Sequence, residues 1–543
     1  MKRFRSPKTV VRRFVAKRTS RSAFILGAVL GLYMITKASS YLKAYPTEAG
    51  RQKIAESLGT NVGIEALLGV AHHIETVAGY VTWNFLCLIA AGGAVWALLI
   101  ATKTLRGEED SGRWELLLAG QTTARRATAN ALAGLGSGLV IIYILIALSL
   151  LGIGRLHGVN FTVNASLFFA LALIAGAAEF LAVGALASQL MPLRSRAAGL
   201  SASVFGVFYM LRLIADTTNA HWLLVVSPLG WIEKLQPMYN SQPLWLLPIG
   251  AFVLVLSALS VFLAGRRDLG EGIFANKDTA KPRTRLLGTP FRFAIRSTRP
   301  MTLGWLTAIV LAAFVYGQLA KGAVVKALGQ SAAAEHALSR LAGTSRAQAV
   351  SSSAFLGIAF FLIMVLAMFY TASAVGRMRE DEAKGYLDNF LVRPVSRIQW
   401  LWGRVLLVVT AIILAGILSS LATWAGQASQ HAGVSFHTLL LAGVNAMTPA
   451  LLILGISLFA FGVAPRLTSA LTYGAIAWSF LIVMLSSGLN LNHWLLDTSI
   501  LHHVAFAPAV SSNWTADGTL VVIGLALCLA GALRFNSRDL QGE

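Results

Sequence analysis

Residues able to do chemistry are few in this chain, and most of them stand together. RGEEDSGRWELLLAGQTTARR, residues 106–126, places three consecutive acids, Glu108, Glu109 and Asp110, ahead of an apolar stripe, and REDEAKGYLDNFLVRPVSR, residues 379–397, is a relative of it. On a helix Trp114, Leu117 and Leu118 fall at i, i+3 and i+4 on one face, and Leu387, Phe390 and Leu391 repeat the pattern. An anionic membrane surface repels three adjacent acids, so the stripe reads as a docking knob gripped by another protein rather than a helix resting on lipid headgroups. Pro394 stops the second helix, and Thr122 or Ser396 is placed to cap the helix that follows.

Other reactive side chains carry less. The pairs His72–His73 and His502–His503 suggest a metal, but neighbouring side chains on a helix point apart and no carboxylate cluster accompanies them. Cys87 and Cys528 both fall in apolar runs and read as small packing residues. A phosphate-cradling loop needs G-x-x-x-x-G-K-[ST], and the chain contains no Gly-Lys dipeptide, so it is not expected to hydrolyse ATP itself. Glu179 is the one acid near the middle of an apolar run, where an ionisable group costs about 2.5–3.5 kcal/mol. Arg212 lies at similar depth in the next run, which predicts a Glu179–Arg212 pair, either structural or used to bind a cationic substrate.

The elements that position these residues are membrane helices. The 543 residues are 56% hydrophobic and only 13% charged, and the mean hydropathy is +0.68, far from the roughly 25% charge of a soluble chain. Apolar runs long enough to cross a roughly 30 Å hydrocarbon core occur twelve times: 23–43, 76–102, 128–153, 165–190, 197–217, 244–265, 301–320, 352–376, 401–425, 437–463, 468–488 and 517–534. An even number puts both termini on one side. That side holds 34 of the 45 Lys and Arg residues, in 1–22, 103–127, 191–198, 266–300, 377–404, 466 and 534–543, so the positive-inside rule places it in the cytoplasm. The formal charge of +22 is then topology and anionic-lipid contact, not nucleic-acid binding. The basic N-terminus followed by an apolar run has no convincing small-residue cleavage site and is expected to stay as mature structure.

The chain also reads as one unit written twice. RRFVAKRTSRSAF at 12–24 matches FRFAIRSTRPMTL at 291–303; Arg106, Glu109, Gly112, Glu115 and Leu118 align at an offset of 273 with Arg379, Glu382, Gly385, Asp388 and Leu391; Pro192 falls on Pro465. RRDLGEG at 266–272 closes the first half much as SRDLQGE at 537–543 closes the second. Two six-span halves, 1–265 and 291–543, joined by a cytoplasmic linker at 266–290, are expected to share one orientation about an axis along the membrane normal. The fold class is therefore an all-α polytopic membrane protein.

An acidic E-D/E-x-x-G-x-x-E/D-x-L/F-L helix between the second and third spans of a six-span unit, after a basic amphipathic helix, resembles the permeases of ABC-2 type exporters. The twelve-span form is similar to actinobacterial permeases of multidrug and antibiotic efflux systems. The resemblance implies a bacterial cell-membrane permease that exports small apolar or amphipathic compounds, powered by two copies of a separate ATPase that bind ATP and Mg, with no cofactor in this chain. It implies that Glu108, Glu109, Asp110, Gly112, Trp114, Glu115, Leu117 and Leu118, with Asp381, Glu382, Gly385, Leu387, Asp388, Phe390 and Leu391, form two coupling helices seated on those ATPases. It implies a central seam lined by the second and fifth spans of each half: Trp83, Asn84, Phe85, Phe205, Phe208, Tyr209, Met364, Met368, Phe369, Tyr473, Trp478 and Phe480, aromatics and methionines suited to varied apolar molecules. Glu179 and Arg212 join that pathway. Outside, 44–74 and 322–351 read as short helices capping the first and seventh spans, and the resemblance implies that SPLGWIEKLQP (227–237) and SILHHVAFAP (499–508) form elements closing the exit. The runner-up is a proton-driven twelve-span antiporter, which would hold several mid-membrane acids where this chain has Glu179 alone.

Overall fold

The computed structural model describes residues 7–58, 69–119, 122–156, 158–159, 161–217, 220–274, 284–320, 351–430, 433–486 and 492–541. Among these there are helices and turns and no strand. Twelve helices are long and apolar enough to cross a membrane, as expected where every backbone polar group must be satisfied within its own segment. They are α1 (Pro7–Ala44), α2 (Val77–Thr102), α3 (Ala124–Gly154), α4 (Val163–Leu190), α5 (Arg194–Thr217), α6 (Leu246–Ala264), α7 (Pro290–Leu319), α8 (Ser352–Ala383), α9 (Arg397–Gln430), α10 (Phe436–Val463), α11 (Thr468–Ser486) and α12 (Trp514–Ser537).

The basic stretch before the first span is no separate helix: α1 runs unbroken from Pro7, and α7 runs from Pro290 through an internal Pro300. Helix starts follow side-chain capping. Thr76, Thr162, Ser351 and Ser435 cap α2, α4, α8 and α10. Thr123, rather than Thr122, caps α3, because the acceptor oxygen must sit three residues before the amide it satisfies. Ser396 caps α9 through the Gln399 amide (3.1 Å), and the Gln399 side chain accepts from the Ser396 amide (3.2 Å), a reciprocal capping box.

The chain divides into two compact units, Met1–Ala280 and Lys281–Glu543. Each is built on the same pairs: first span with third, second with fourth, fourth with fifth and sixth. Small residues let the backbones meet. A Cβ on Gly462 would stand 2.3 Å from the Gly531 carbonyl oxygen, and one on Gly317 2.4 Å from that of Thr423, which closes α10 on α12 and α7 on α9. At the ends opposite the charged segments, Ser227 donates to the Phe208 carbonyl of α5 and Ser499 to the Ser479 carbonyl of α11, each at 2.9 Å. These bonds anchor the short helices Leu223–Val226 and Pro228–Lys234 in one unit and Ile500–His503 in the other. Of the expected outer caps, Glu48–Leu58 is helical, while 59–68 and 322–350 lie outside the described residues, as does 275–283 of the expected linker.

Candidate functional site

α2 passes through a π turn, Lys103–Gly107, into Glu108–Asp110 before Gly112 turns the chain at φ 72°. α8 runs straight to Ala383, and Gly385 makes the same turn at φ 69°. In both units the glycine amide donates to a carbonyl three residues back, Gly112 to Glu109 and Gly385 to Glu382, each at 2.9 Å. The left-handed φ is what glycine supplies without a Cβ penalty.

The acids next to these turns face inward. Glu109 is buried and accepts both terminal nitrogens of Arg267, each at 2.6 Å, with the Gly270 amide on the same carboxylate at 2.8 Å. Arg106, fully buried, adds an ion pair to Glu109 at 3.2 Å and donates to the carbonyls of Gly270 (2.5 Å), Glu271 (2.9 Å) and, through Nε, Pro192 (3.0 Å). The second unit repeats the same bidentate pair, backbone amide and neighbouring arginine. Arg538 grips both oxygens of buried Glu382 at 2.5 and 2.9 Å, and the Gln541 amide donates to it at 3.1 Å. Arg379 pairs with Glu382 at 3.2 Å and donates to the Gln541 carbonyl at 2.6 Å. The acidic stretch after the second span and the Arg-Asp-Leu stretch after the sixth are therefore two halves of one clamp, present once in each unit. Each clamp is a bidentate, charge-assisted pair, the geometry in which buried ions are tolerated; Arg267 also donates through Nε to Gln189 at 2.9 Å, whereas the buried Nε of Arg538 has no hydrogen-bond partner among the described residues.

Trp114 and Leu118 of the first apolar stripe and the second stripe also face inward, which corrects the expectation that they form an outward knob; the Leu117 side chain lies outside the described ones. Trp114 is buried among Val11, Val15, Ala127 and Leu118; Leu387 is buried in the core of the second unit, with Phe390 and Leu391 packed on it and Phe390 5.1 Å from Phe293 of α7. In a chain whose helices offer an apolar flank, a stripe at i, i+3, i+4 buries itself on its own bundle first. Glu108 is likewise buried, held by Arg113 at 2.7 Å and by Arg18 of α1, and Asp381 is held by Arg404 at 2.7 Å. Asp110 accepts from the Arg194 amide at 2.8 Å. The described side chains that face out include Asp110, Arg113, Glu115 and Leu116 in the first segment and Glu380, Lys384, Tyr386, Asp388, Asn389 and Val392 in the second, with Leu116 77% and Val392 89% exposed.

A family model described as "Multidrug efflux system permease Rv1217c, C-terminal domain" matches residues 49–262 and 287–536. The chain belongs to this permease family. The multidrug efflux system permease protein Rv1217c of Mycobacterium tuberculosis (strain ATCC 25618 / H37Rv) is 27% identical to it over 506 residues, 92% of this chain and 88% of that protein. With twelve apolar helices, it is a multi-pass membrane permease.

In this permease the expected pathway residues fall into two groups. Trp83, Phe85, Met364 and Met368 are buried within their own bundles: Trp83 donates to the Gly69 carbonyl at 2.9 Å, and Phe85 meets Tyr33 edge-on at 5.3 Å. Asn84 is half-buried. Phe205, Phe208 and Tyr209 are half-buried on α5, Phe205 meeting Phe180 edge-on and stacking on Tyr209. Phe369 lies 6.0 Å from the exposed Tyr473, Phe480 stacks on Phe361, and exposed Trp478 donates to Thr498 at 2.9 Å. Arg212 does not pair with Glu179. It binds Asp216 at 2.9 Å and Glu233 at 3.2 Å, while both carboxylate oxygens of buried Glu179 have no hydrogen-bond partner among the described residues. Asp216 sits one helical turn from Arg212, the spacing that brings side chains together, and this nearer acid took the arginine. Among the histidines, His73 contacts Glu75 at 3.3 Å and His503 the Asp497 carbonyl at 3.0 Å; burial, then the neighbouring His503, push His502 below its ordinary range.

Proposed function

We propose that this permease is the membrane subunit of an ATP-driven exporter for small apolar or amphipathic compounds, drugs or antibiotics among them, with its termini and both charged segments in the cytoplasm of a bacterial cell. Two six-span halves, 1–265 and 291–543, would each receive one separate ATPase, which binds the ATP and Mg. The duplicated Arg–Glu clamp carries this reading. A segment that transmits force from a motor must be rigidly joined to the helices it moves, and each charged segment here is joined by ion pairs and backbone bonds to the chain beyond its unit's sixth span. The family match supports the efflux role. The contact surface for the motor is the small outward face, Glu115 and Leu116 with Tyr386, Asp388, Asn389 and Val392, rather than the clamped Glu109 and Glu382.

The test is purification of the intact chain from its native membrane and identification of what comes with it. A P-loop ATPase is expected to co-purify with the unaltered chain and to be lost from a Leu116→Glu/Val392→Glu double variant that still elutes as a folded monodisperse species. Drug export that survives ATP depletion but stops when the proton gradient collapses would instead establish the proton-driven antiporter.

A further inference from the structure

The two units place a carboxylate at equivalent positions, Glu108 and Asp381, but the arginine that reaches each from a membrane helix comes from different helices, Glu108 also holding Arg113 of its own segment. Glu108 takes Arg18 from α1; Asp381 takes Arg404 from α9. In the alignment of the two basic stretches Arg18 corresponds to Ser297, and at the 273-residue offset Arg404 corresponds to Ala131. A long side chain is thus replaced by a serine on the first helix of the second unit, and the space is not refilled. A cavity of about 100 Å³ remains between α7, α8 and α9, at the end of α8 that carries the acidic segment. One water needs roughly 10–15 Å³ measured this way, so a phosphate-sized group has room.

The lining has two characters. Ser297, Thr298, Thr302 and Tyr370 with Arg377, Arg404 and the single carboxylate of Asp381 supply its polar lining, and Met301, Met378 and Val408 its apolar lining. Arg404 is engaged with Asp381, but Arg377 is exposed and makes no hydrogen bond or ion pair among the described residues, so the site carries one uncompensated positive charge. Leu303 and Leu406, each one residue from a lining residue, are exposed apolar side chains on α7 and α9. A basic pocket between membrane helices at the cationic membrane boundary is the environment that takes anionic headgroups; Ser297 and Thr298 already donate to the Ala294 carbonyl and Thr302 and Tyr370 share one bond at 3.3 Å, so the donors open to phosphate oxygens are the Arg377 guanidinium and one hydroxyl of the Thr302–Tyr370 pair.

We propose that this cavity binds the phosphate headgroup of an anionic membrane phospholipid, with the acyl chains lying along α7 and α9. The site belongs to the second unit alone, because in the first the positions of Tyr370, Arg377 and Arg404 are held by Ala97, Thr104 and Ala131.

Native mass spectrometry of the full chain in detergent, with phosphatidylglycerol or phosphatidylcholine added, tests this. Phosphatidylglycerol is expected to be retained over phosphatidylcholine, and Arg377→Gln to lower its retention about fivefold, the effect of one basic side chain near an anionic lipid. Ser297→Leu, which takes up cavity volume without changing a charge, is expected to lower it as well, with thermal unfolding confirming that both variants are folded. Equal retention of the two lipids, or variants that hold phosphatidylglycerol as the unaltered chain does, would overturn the site. Displacement of the lipid by inorganic phosphate at equal concentration would show that the ligand is a free phosphate rather than a lipid.

Discussion

Glu109 and Glu382 each accept a bidentate arginine and a backbone amide while sealed from water. Removing one member of such a buried pair leaves the other charge uncompensated, typically at a cost of about 3–5 kcal/mol. Glu109→Gln and Glu382→Gln are therefore expected to lower the thermal unfolding midpoint of the purified chain markedly, whereas Glu115→Gln, on an exposed side chain, should leave it in place. Equal midpoints for all three would remove the clamp from the stability of the fold. Gly112 is a gentler probe. A Cβ there meets no other atom within 4 Å, so Gly112→Ala should register only the left-handed backbone, about 1–2 kcal/mol, and Gly112→Asn less, since asparagine tolerates that conformation better.

Between helices, the decisive contacts are backbone against backbone. Gly455 and Gly462 on α10 face Gly524 and Gly531 on α12, with added Cβ atoms 2.3–2.9 Å from carbonyl oxygens of the facing helix. A carbonyl cannot rotate aside as a side chain can, so Gly531→Leu is expected to separate α12 from α10 and to yield aggregated protein on size-exclusion chromatography. The same substitution at Gly518, which has open space around it, should leave a monodisperse peak. The capping box at Ser396 and Gln399 belongs to this scale too: Ser396→Ala is expected to cost about 1 kcal/mol, read as a small shift in the same unfolding curve. The helices themselves were legible from apolar run length, but their partners were not. Run length shows that a helix crosses the membrane; which neighbour it meets depends on where small residues coincide in space.

Across the whole molecule, charge distribution orients the chain. With Leu116 and Val392 at the exposed tips of the two charged segments, Leu116→Cys and Val392→Cys are expected to react with an impermeant maleimide only after the cell membrane is opened. Labelling of either in intact cells would place that segment outside and reverse the topology. Read from residues alone, the chain yields twelve spans, a duplicated set of landmarks, the side that bears the charge and the family resemblance, because hydropathy, spacing and loop charge are properties of the chain in order. Glu109 and Arg267, or Glu382 and Arg538, are each visible as half of a repeated motif, but their union needs the chain leaving the sixth span to return to the end of the second, more than 150 residues later. The same holds for Arg212, whose choice of Asp216 and Glu233 over Glu179 depends on rotamer and helix rotation, and for the inward turn of the two apolar stripes. Only packing in three dimensions decides which face of a short helix is already occupied.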